Sequence, residues 1–208
     1  MLEMASLGAK VLQTRSVEIA MLHRVPTRVL STFDPDAGGT LLCDEEDIVE
    51  KKPVTGIAYS RDEAKITLHK IPDRPGIAAA IFGPLADSGV NVDMIVQNVS
   101  TAGHTDISFT IPRTDLSKTS TVMDKLVVET EAHGFRADTD IGRVSLIGAG
   151  MKTHPGIAAR MFEVLADNGI NIEMISTSTI RISCVVREAD VEPAVRALHR
   201  AFALEAAS

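Results

Sequence analysis

Hydrophobic and polar positions follow the same order twice along this chain. AKITLHKI, from Ala64, alternates as a strand does, and after a short loop the residues from Pro75 follow the spacing of an amphipathic helix. RVSLIGAG, from Arg143, and the helix from Pro155 repeat this order. PGIAAAIFGPLADSGVNVDMI and PGIAARMFEVLADNGINIEMI, which begin eighty positions apart, are identical at 13 of 21 positions. This agreement indicates an internal duplication.

Each copy continues with the same series of elements. Gly89 and Gly169 are predicted to close the helices, and a second strand follows from Asn91 or Asn171. A third strand (TDISFTIP or TIRISCVV) and a second helix (LSKTSTVMDKLVVETEAHG or EADVEPAVRALHRAF) come next, and FRADTDI adds a fourth strand to the first copy. The order βαββαβ is that of a ferredoxin-like module. The predicted fold class is α+β, with two such modules.

The second copy ends near Leu204 without a fourth strand, which would leave an unpaired sheet edge. The strand-like segment VTGIAYS, residues 54–60, precedes the first copy and has no other evident place. We expect it to fold back as the missing strand, so that the two modules are intertwined. The expected boundaries are residues 64–141 for the first module and residues 54–63 plus 142–204 for the second.

The residues before the repeat have a different character. MLEMASLGAKVLQTRSVEIAMLHR has helical spacing as far as Pro26, and TRVLST, from Thr27, alternates like a short strand. Residues 1–42 are therefore expected to form a helical and strand segment of their own. Residues 43–53, CDEEDIVEKKP, are charged and carry little apolar material, which indicates an exposed linker.

Composition excludes several classes of function. A hydrophobic content of 45% can fill a packed core, and a net charge of −7 argues against nucleic acid as a partner. Only two cysteines occur, Cys43 and Cys184, and neither they nor the scattered histidines have metal-ligand spacing. No signal peptide and no apolar run near the roughly 20 residues of a membrane span are present. We expect a cytoplasmic protein without a metal site or a membrane partner.

The repeated Pro-Gly loops carry the candidate chemistry. Each ends at a helix N-terminus, where free N–H groups and the helix dipole can hold a carboxylate. Asp73, Gln97 or the carbonyls of a neighbouring strand could accept hydrogen bonds from the ammonium group of an amino acid bound there. No P-loop, Rossmann fingerprint or catalytic triad is visible, so no catalytic residue is predicted.

The same positions also have purely structural interpretations. Asp73 and Thr153 could be ordinary N-caps, and Asn91 and Asn171 could serve turn geometry. His154 is expected to be a solvated loop residue. Four apolar residues are expected in the core: Met94, Met174, Ile95 and Ile175.

The chain resembles the ACT-domain regulatory region of the aspartokinase family. The similarity lies in VTGIAYSRDEAKITL, IPDRPGIAAAIF, NVDMIVQNVS, TDISFTIPR, GRVSLIGAGMKTHPGIAARMFEVL and NIEMISTSTIRIS. The opening residues, with VPTRVLSTF, resemble the last part of the family's amino-acid-kinase domain. The resemblance implies two intertwined ACT domains after a kinase-domain remnant, and feedback control of the pathway to lysine, threonine and methionine.

The resemblance also implies two effector sites, each formed between modules across a homodimer. The first site would contain Asp73, Gly76, Ile77, Ala78 and Gln97 with Asn171 and Ile172. The second would contain Thr153, Gly156, Ala158 and Thr177 with Asn91 and Val92. We expect the first to be stronger and to bind threonine, with lysine as a possible second ligand. Ala158 and Thr179 replace a hydroxyl residue and a carboxylate of the family pattern, which weakens the second site and lysine recognition there.

Catalysis is not expected from this chain alone. The family's KFGGTS-type segment is missing, and Lys10 is the one residue matching a lysine near the family's nucleotide. ATP and magnesium would bind only to a complete kinase domain. The start of the sequence resembles a β chain that partners a full-length aspartokinase α chain. The alternatives are an orphan ACT-domain amino-acid sensor and a truncated fragment of a catalytic aspartate kinase.

Overall fold

The computed structural model describes residues 1–43, 53–98, 102–148, 151 and 154–204. The opening segment forms two short helices and a hairpin: α1 (Leu2–Ser6), α2 (Thr14–Leu22), β1 (Thr27–Val29) and β2 (Thr40–Leu42), with the strands antiparallel. Helical spacing was expected as far as Pro26, and this stretch forms two helices, interrupted at Gly8, whose φ of +120° does not suit a helix. Most of the expected linker, residues 44–52, lies outside the described residues.

The first module has the expected element order. Its elements are β4 (Glu63–Pro72), α3 (Ile77–Asp87), β5 (Ile95–Gln97), β6 (His104–Pro112), α4 (Leu116–Glu129) and β7 (Gly134–Asp138); β3 (Gly56–Ser60) precedes them in the chain. The four strands form an antiparallel sheet in the order β5-β6-β4-β7. This order is that of a ferredoxin-like βαββαβ unit.

The second module borrows its fourth strand from before the first. It contains β8 (Ile141–Ile147), α5 (Ile157–Asp167), β9 (Met174–Thr177), β10 (Arg181–Arg187) and α6 (Val191–Ala201). Its sheet has the order β3-β8-β10-β9, and β3 pairs antiparallel with β8. The predicted fold class, two intertwined ferredoxin-like modules, is confirmed.

Glycines end the repeated helices as the sequence predicts. Gly89 and Gly169 have φ of +67° and +70°, one residue beyond the C-caps of α3 and α5. Val90 and Ile170 each donate an N–H bond to the carbonyl five residues earlier, at 3.0 and 2.9 Å. This is the Schellman arrangement, which satisfies the last carbonyls of a helix.

Each sheet packs its two helices on one face, with Ile66 and Phe109 at the centre of the first core and Leu146 and Cys184 at the centre of the second. A smaller apolar cluster joins the modules and is formed by Met94, Ile141, Met174 and Val185. Within the described ranges, no helix is both long and apolar enough to cross a membrane.

The expectation that four apolar residues of the second strands are all buried was half wrong. Met94 and Met174 are buried, but the side chains of Ile95 and Ile175 are 52% and 43% exposed. Successive side chains in a strand point to opposite faces, and β5 and β9 are the edge strands of their sheets. Each isoleucine therefore lies on the edge strand of its sheet, as the described residues form it.

Candidate functional site

The first Pro-Gly loop joins the end of β4 to α3. Gly76 is the N-cap residue, has φ of +89°, and leaves open space where a Cβ would stand. The N–H of Ile77 donates a 3.2 Å bond to the carbonyl of Arg74. The first N–H groups of a helix have no partner within the helix, so that of Ala78 lies where a carboxylate could accept it. A positive φ without steric crowding lets a ligand approach the backbone closely.

Asp73 is exposed beside this loop and does not cap the helix. Its N–H donates a 2.9 Å bond to the carbonyl of Gly103, and no side chain bonds to the N-terminus of α3. The N-cap interpretation of Asp73 is therefore wrong, because Gly76 occupies that position. An exposed carboxylate beside this loop remains compatible with ammonium recognition.

The second Pro-Gly loop has the same backbone geometry before α5. Gly156 is the N-cap with φ of +99°, and the N–H of Arg160 donates to its carbonyl at 2.8 Å. Ala158 is half-buried and packs against the second core. His154 is exposed, as expected for a loop residue, whereas Thr153 lies outside the described residues.

Gln97 lies at the same end of the first sheet as Asp73. It is the last residue of β5 and pairs with Ile107 of β6, while β4 pairs with the same strand from its other side. Since β4 and β5 both run antiparallel to β6, their last residues lie at the same end of the sheet. In the second sheet, Thr177 is the last residue of β9, and it lies at the end of the sheet from which β8 leads toward the second loop.

The asparagine positions lie at the other end of each sheet. Asn91 and Asn171 are exposed, and the residues that follow them, Val92 and Ile172, pack against the first and second cores. Asn91 precedes β5 near the start of β4, whereas Asp73 follows the end of this ten-residue strand. At about 3.3 Å per residue, the two ends are roughly 30 Å apart. The Pro-Gly loop and the asparagine of the first module therefore lie at opposite ends of its sheet.

We call residues 91–93 and 171–173 the first and second asparagine segments. Ion pairs hold the first asparagine segment to the second module. Arg143, on β8, donates from Nη2 to Oε1 of Glu63 at 2.9 Å and from Nη1 to Oδ2 of Asp93. The side chains of Arg143 and Glu63 are only 7% and 8% exposed. Burial raises the pKa of Glu63, and the opposing effect of Arg143 does not cancel it. We call these three residues the first clamp.

A second group of ion pairs surrounds the equivalent of Asp93 in the other copy, Glu173. Lys65 Nζ lies 2.5 Å from its Oε2, and Arg187 Nη2 lies 2.7 Å from its Oε1. Arg187 also donates from Nη1 to Oδ2 of Asp138 at 2.9 Å. The hydrogen bond from Lys65 lowers the pKa of Glu173 despite partial burial. We call these four residues the second clamp.

Sequence reasoning missed both clamps. The signal was present in the repeat, where NVDMI and NIEMI carry a carboxylate at the same position, but the basic partners are distant in sequence. Contacts between residues 50 and 108 positions apart, as in Arg143 with Asp93 and Lys65 with Glu173, have no local pattern.

Other features of the surface bear little on these sites. Lys10 is exposed after α1, and nothing in the described contacts connects it with a binding site. A shallow concavity of about 830 Å³ lies elsewhere, between charged residues of the second module, and contains none of the predicted effector residues. Within the part of the chain that the structure describes, no three His, Cys, Asp or Glu side chains gather as metal ligands would.

Comparison with known proteins identifies two matching domains. Residues 67–128 and residues 144–202 each match a family described as ACT domain. An aspartate kinase of Stutzerimonas stutzeri is 50% identical over 206 residues, which are 99% of this chain and 50% of that protein. The chain thus spans about half the length of the curated relatives it matches.

Solved structures give the same correspondence. A chain in a crystal structure of aspartokinase alpha and beta subunits is 44% identical, with a TM-score of 0.69; the match covers 73% of this chain and 99% of that one. The ligand-free regulatory subunit of aspartate kinase from Thermus thermophilus is 39% identical, with the same TM-score and coverage.

Proposed function

This chain belongs to the aspartokinase family, whose regulatory ACT domains it carries, and on that premise we propose that it senses an end-product amino acid. Effector binding would change the activity of an aspartokinase catalytic domain, on the same chain or on a full-length α chain. ATP and magnesium would bind only to that catalytic domain. We also propose domain limits of residues 64–141 and of residues 54–63 plus 142–204.

The observation that carries this proposal is the grouping at one end of the first sheet. The exposed Asp73 and the open Gly76 loop directly precede α3, and Gln97 ends β5 at the same end of the sheet. The helix N–H groups suit an amino acid's carboxylate, and Asp73 suits its ammonium. Gln97 offers both donor and acceptor atoms to a polar side chain. Threonine is the ligand we propose.

The remaining residues of the site would come from a second copy of the chain. Asn171 and Ile172 belong to the segment that Glu173 anchors near Lys65, at the opposite end of the first sheet. The edge strands β5 and β9 favour association, since an edge strand carries unpaired N–H and C=O groups. Each of these strands also exposes an isoleucine. We therefore propose a twofold homodimer that pairs each loop with a partner's asparagine segment.

The second loop would form the weaker site. Ala158 supplies no hydroxyl, and Thr177 is shorter than Gln97, its equivalent in the first copy. Thr179 offers no carboxylate for a basic ligand. Lysine, the other ligand considered, would therefore be held less well here than threonine at the first site.

Thermal unfolding of the purified chain with each of the twenty amino acids tests the sensor function. A ligand at 100 times its Kd adds about 2.7 kcal/mol of stability, so threonine should raise the Tm most. Sedimentation should give twice the chain mass of 22.3 kDa. A monomer that no amino acid stabilises would contradict the proposal. ATP-dependent formation of aspartyl phosphate by this chain alone would indicate a catalytic enzyme instead.

A further inference from the structure

The two clamps occupy equivalent places in the duplicated fold. Asp93 lies two residues after Asn91, and Glu173 lies two residues after Asn171, so each clamp begins beside one asparagine segment. Both carboxylates are held by basic residues of the other module: Arg143 from β8 binds Asp93, and Lys65 from β4 binds Glu173. The duplication has kept the position of the carboxylate while changing its partners.

Each clamp ties an asparagine segment to the strand that leads into the other module's Pro-Gly loop. Glu173 is anchored on β4, which ends at the loop of Asp73 and Gly76. Asp93 is anchored on β8, which leads toward the loop of Gly156. A shift at either loop can therefore reach the opposite asparagine segment through one strand and one ion pair.

The backbone alone gives these segments few attachments. Between α5 and β9, the N–H of Glu173 donates to the carbonyl of Val185 at 2.8 Å. In the first module, Asp93 makes the corresponding bond to Thr110 at 3.0 Å. The side-chain ion pairs add charge-assisted bonds, which are stronger and more directional than neutral ones. They fix the segment at the residues just before each edge strand.

We propose that the clamps are positioning groups for the effector sites: Lys65 and Arg187, through Glu173, hold Asn171 and Ile172 in their binding conformation. Arg143 holds Asn91 and Val92 through Asp93 in the same way. This inference rests on the proposed sensor function and adds a route by which the two sites of a dimer influence each other. The second clamp serves the threonine site, and the first clamp serves its weaker counterpart.

The experiment uses the full chain with Glu173→Gln, which keeps the side-chain shape and removes its charge. Amide hydrogen exchange without ligand should become about tenfold faster at residues 171–174, and the Kd for threonine should rise about fivefold. Asp93→Asn should accelerate exchange at residues 91–94 and leave residues 171–174 unchanged. Glu163→Gln, which breaks the exposed Arg160 pair on α5, is the matched control and should change neither quantity.

Each result separates the inference from the proposed function. Faster exchange at residues 171–174 with threonine affinity unchanged within twofold would make the clamp merely structural and overturn the inference. Unchanged exchange in Glu173→Gln would overturn it as well. If the unmodified chain bound no amino acid, the proposed function would fail, and the exchange data alone would decide whether the clamp positions its segment.

Discussion

The two sheets differ most on the faces that point away from their helices. On the first sheet this face is polar: Lys65, Thr67 and His69 alternate with buried apolar residues along β4 and line a cavity of about 180 Å³. On the second sheet the corresponding face is covered by α1, whose neighbour Leu7 packs with Ala58 and Ile147. The same fold therefore uses the N-terminal residues as a structural part of one module only.

Two glycines show how closely these N-terminal residues pack against the second sheet. A Cβ on Gly8 would stand 2.1 Å from the carbonyl oxygen of Tyr59, and one on Gly56 would stand 2.9 Å from Cε of Met4. An ion pair between Arg181 and Glu3, at 3.5 Å, adds a polar contact. Residues near the N-terminus thus pack directly against the second module.

The largest effect should come from uncovering the second sheet. Leu7→Ala removes a side chain that is 2% exposed and should lower the free energy of unfolding by about 2–4 kcal/mol, from lost burial and the cavity left behind. Urea denaturation measures this change. Val11→Ala, at a position 72% exposed, is the control and should cost less than about 0.5 kcal/mol. Equal costs would show that the N-terminal segment does not support the module.

A smaller effect should distinguish the hydroxyl pairs on the two outer faces. Ser145 and Ser183 are fully buried with their Oγ atoms 2.7 Å apart, whereas Thr67 and Ser108 form a half-buried pair at 2.9 Å. Ser183→Ala leaves a buried hydroxyl without its partner and should cost about 1–3 kcal/mol. Ser108→Ala should cost less than about 1 kcal/mol, because water can replace the lost bond.

The double variant Ser145→Ala with Ser183→Ala provides the control for this comparison in chemical denaturation. Removing both partners should recover most of the loss, because no unsatisfied hydroxyl then remains. If Ser183→Ala and Ser108→Ala destabilised the protein equally, the two outer faces would be equally accessible to water, contrary to the structure.

The smallest effect concerns the pH dependence of stability. The contributions of Glu173, in the second clamp, and Glu63, in the first, should change with pH in opposite directions. Glu173 has a lowered pKa, so its contribution to stability is present above its usual pKa of 4.5 and is lost as the pH falls through the lowered value. Glu63 has a raised pKa, so its contribution is present below 4.5 and is lost as the pH rises through the raised value.

Unfolding by urea between pH 3 and pH 7 tests this difference. The cost of Glu173→Gln should grow with pH, by about 1 kcal/mol or less because the side chain is partly exposed. The cost of Glu63→Gln should instead shrink over the same range. Parallel trends for the two variants would contradict the assigned pKa directions.

The duplication made most of the fold predictable. Two Pro-Gly loops, two closing glycines and the spare strand at residues 54–60 led from the sequence to intertwined modules, because each is a local signal. The exposure of Ile95 and Ile175 was not predictable in this way, since it depends on which strand lies at a sheet edge. The clamps and the packing of Leu7 were also missed, because they join residues far apart in sequence.

For the candidate sites, too, local features could be predicted from the sequence, whereas long-range placement could not. The Pro-Gly loops and their left-handed glycines could be located from the sequence, and the structure shows them at helix N-termini. The sequence did not show that Asp73 and Asn171 belong to opposite ends of the first sheet. That separation is a property of the packed modules, and the site as we propose it would need a second copy of the chain.

The central claim is that the first Pro-Gly loop binds the regulatory amino acid, and calorimetric titration with threonine tests it most directly. Asp73→Ala should weaken binding more than tenfold, which corresponds to about 1.4 kcal/mol, through loss of the carboxylate that holds the ammonium. Thr153→Ala, in the second loop, should leave the affinity nearly unchanged. Equal effects of the two substitutions, or no heat of binding from the unmodified chain, would contradict the account.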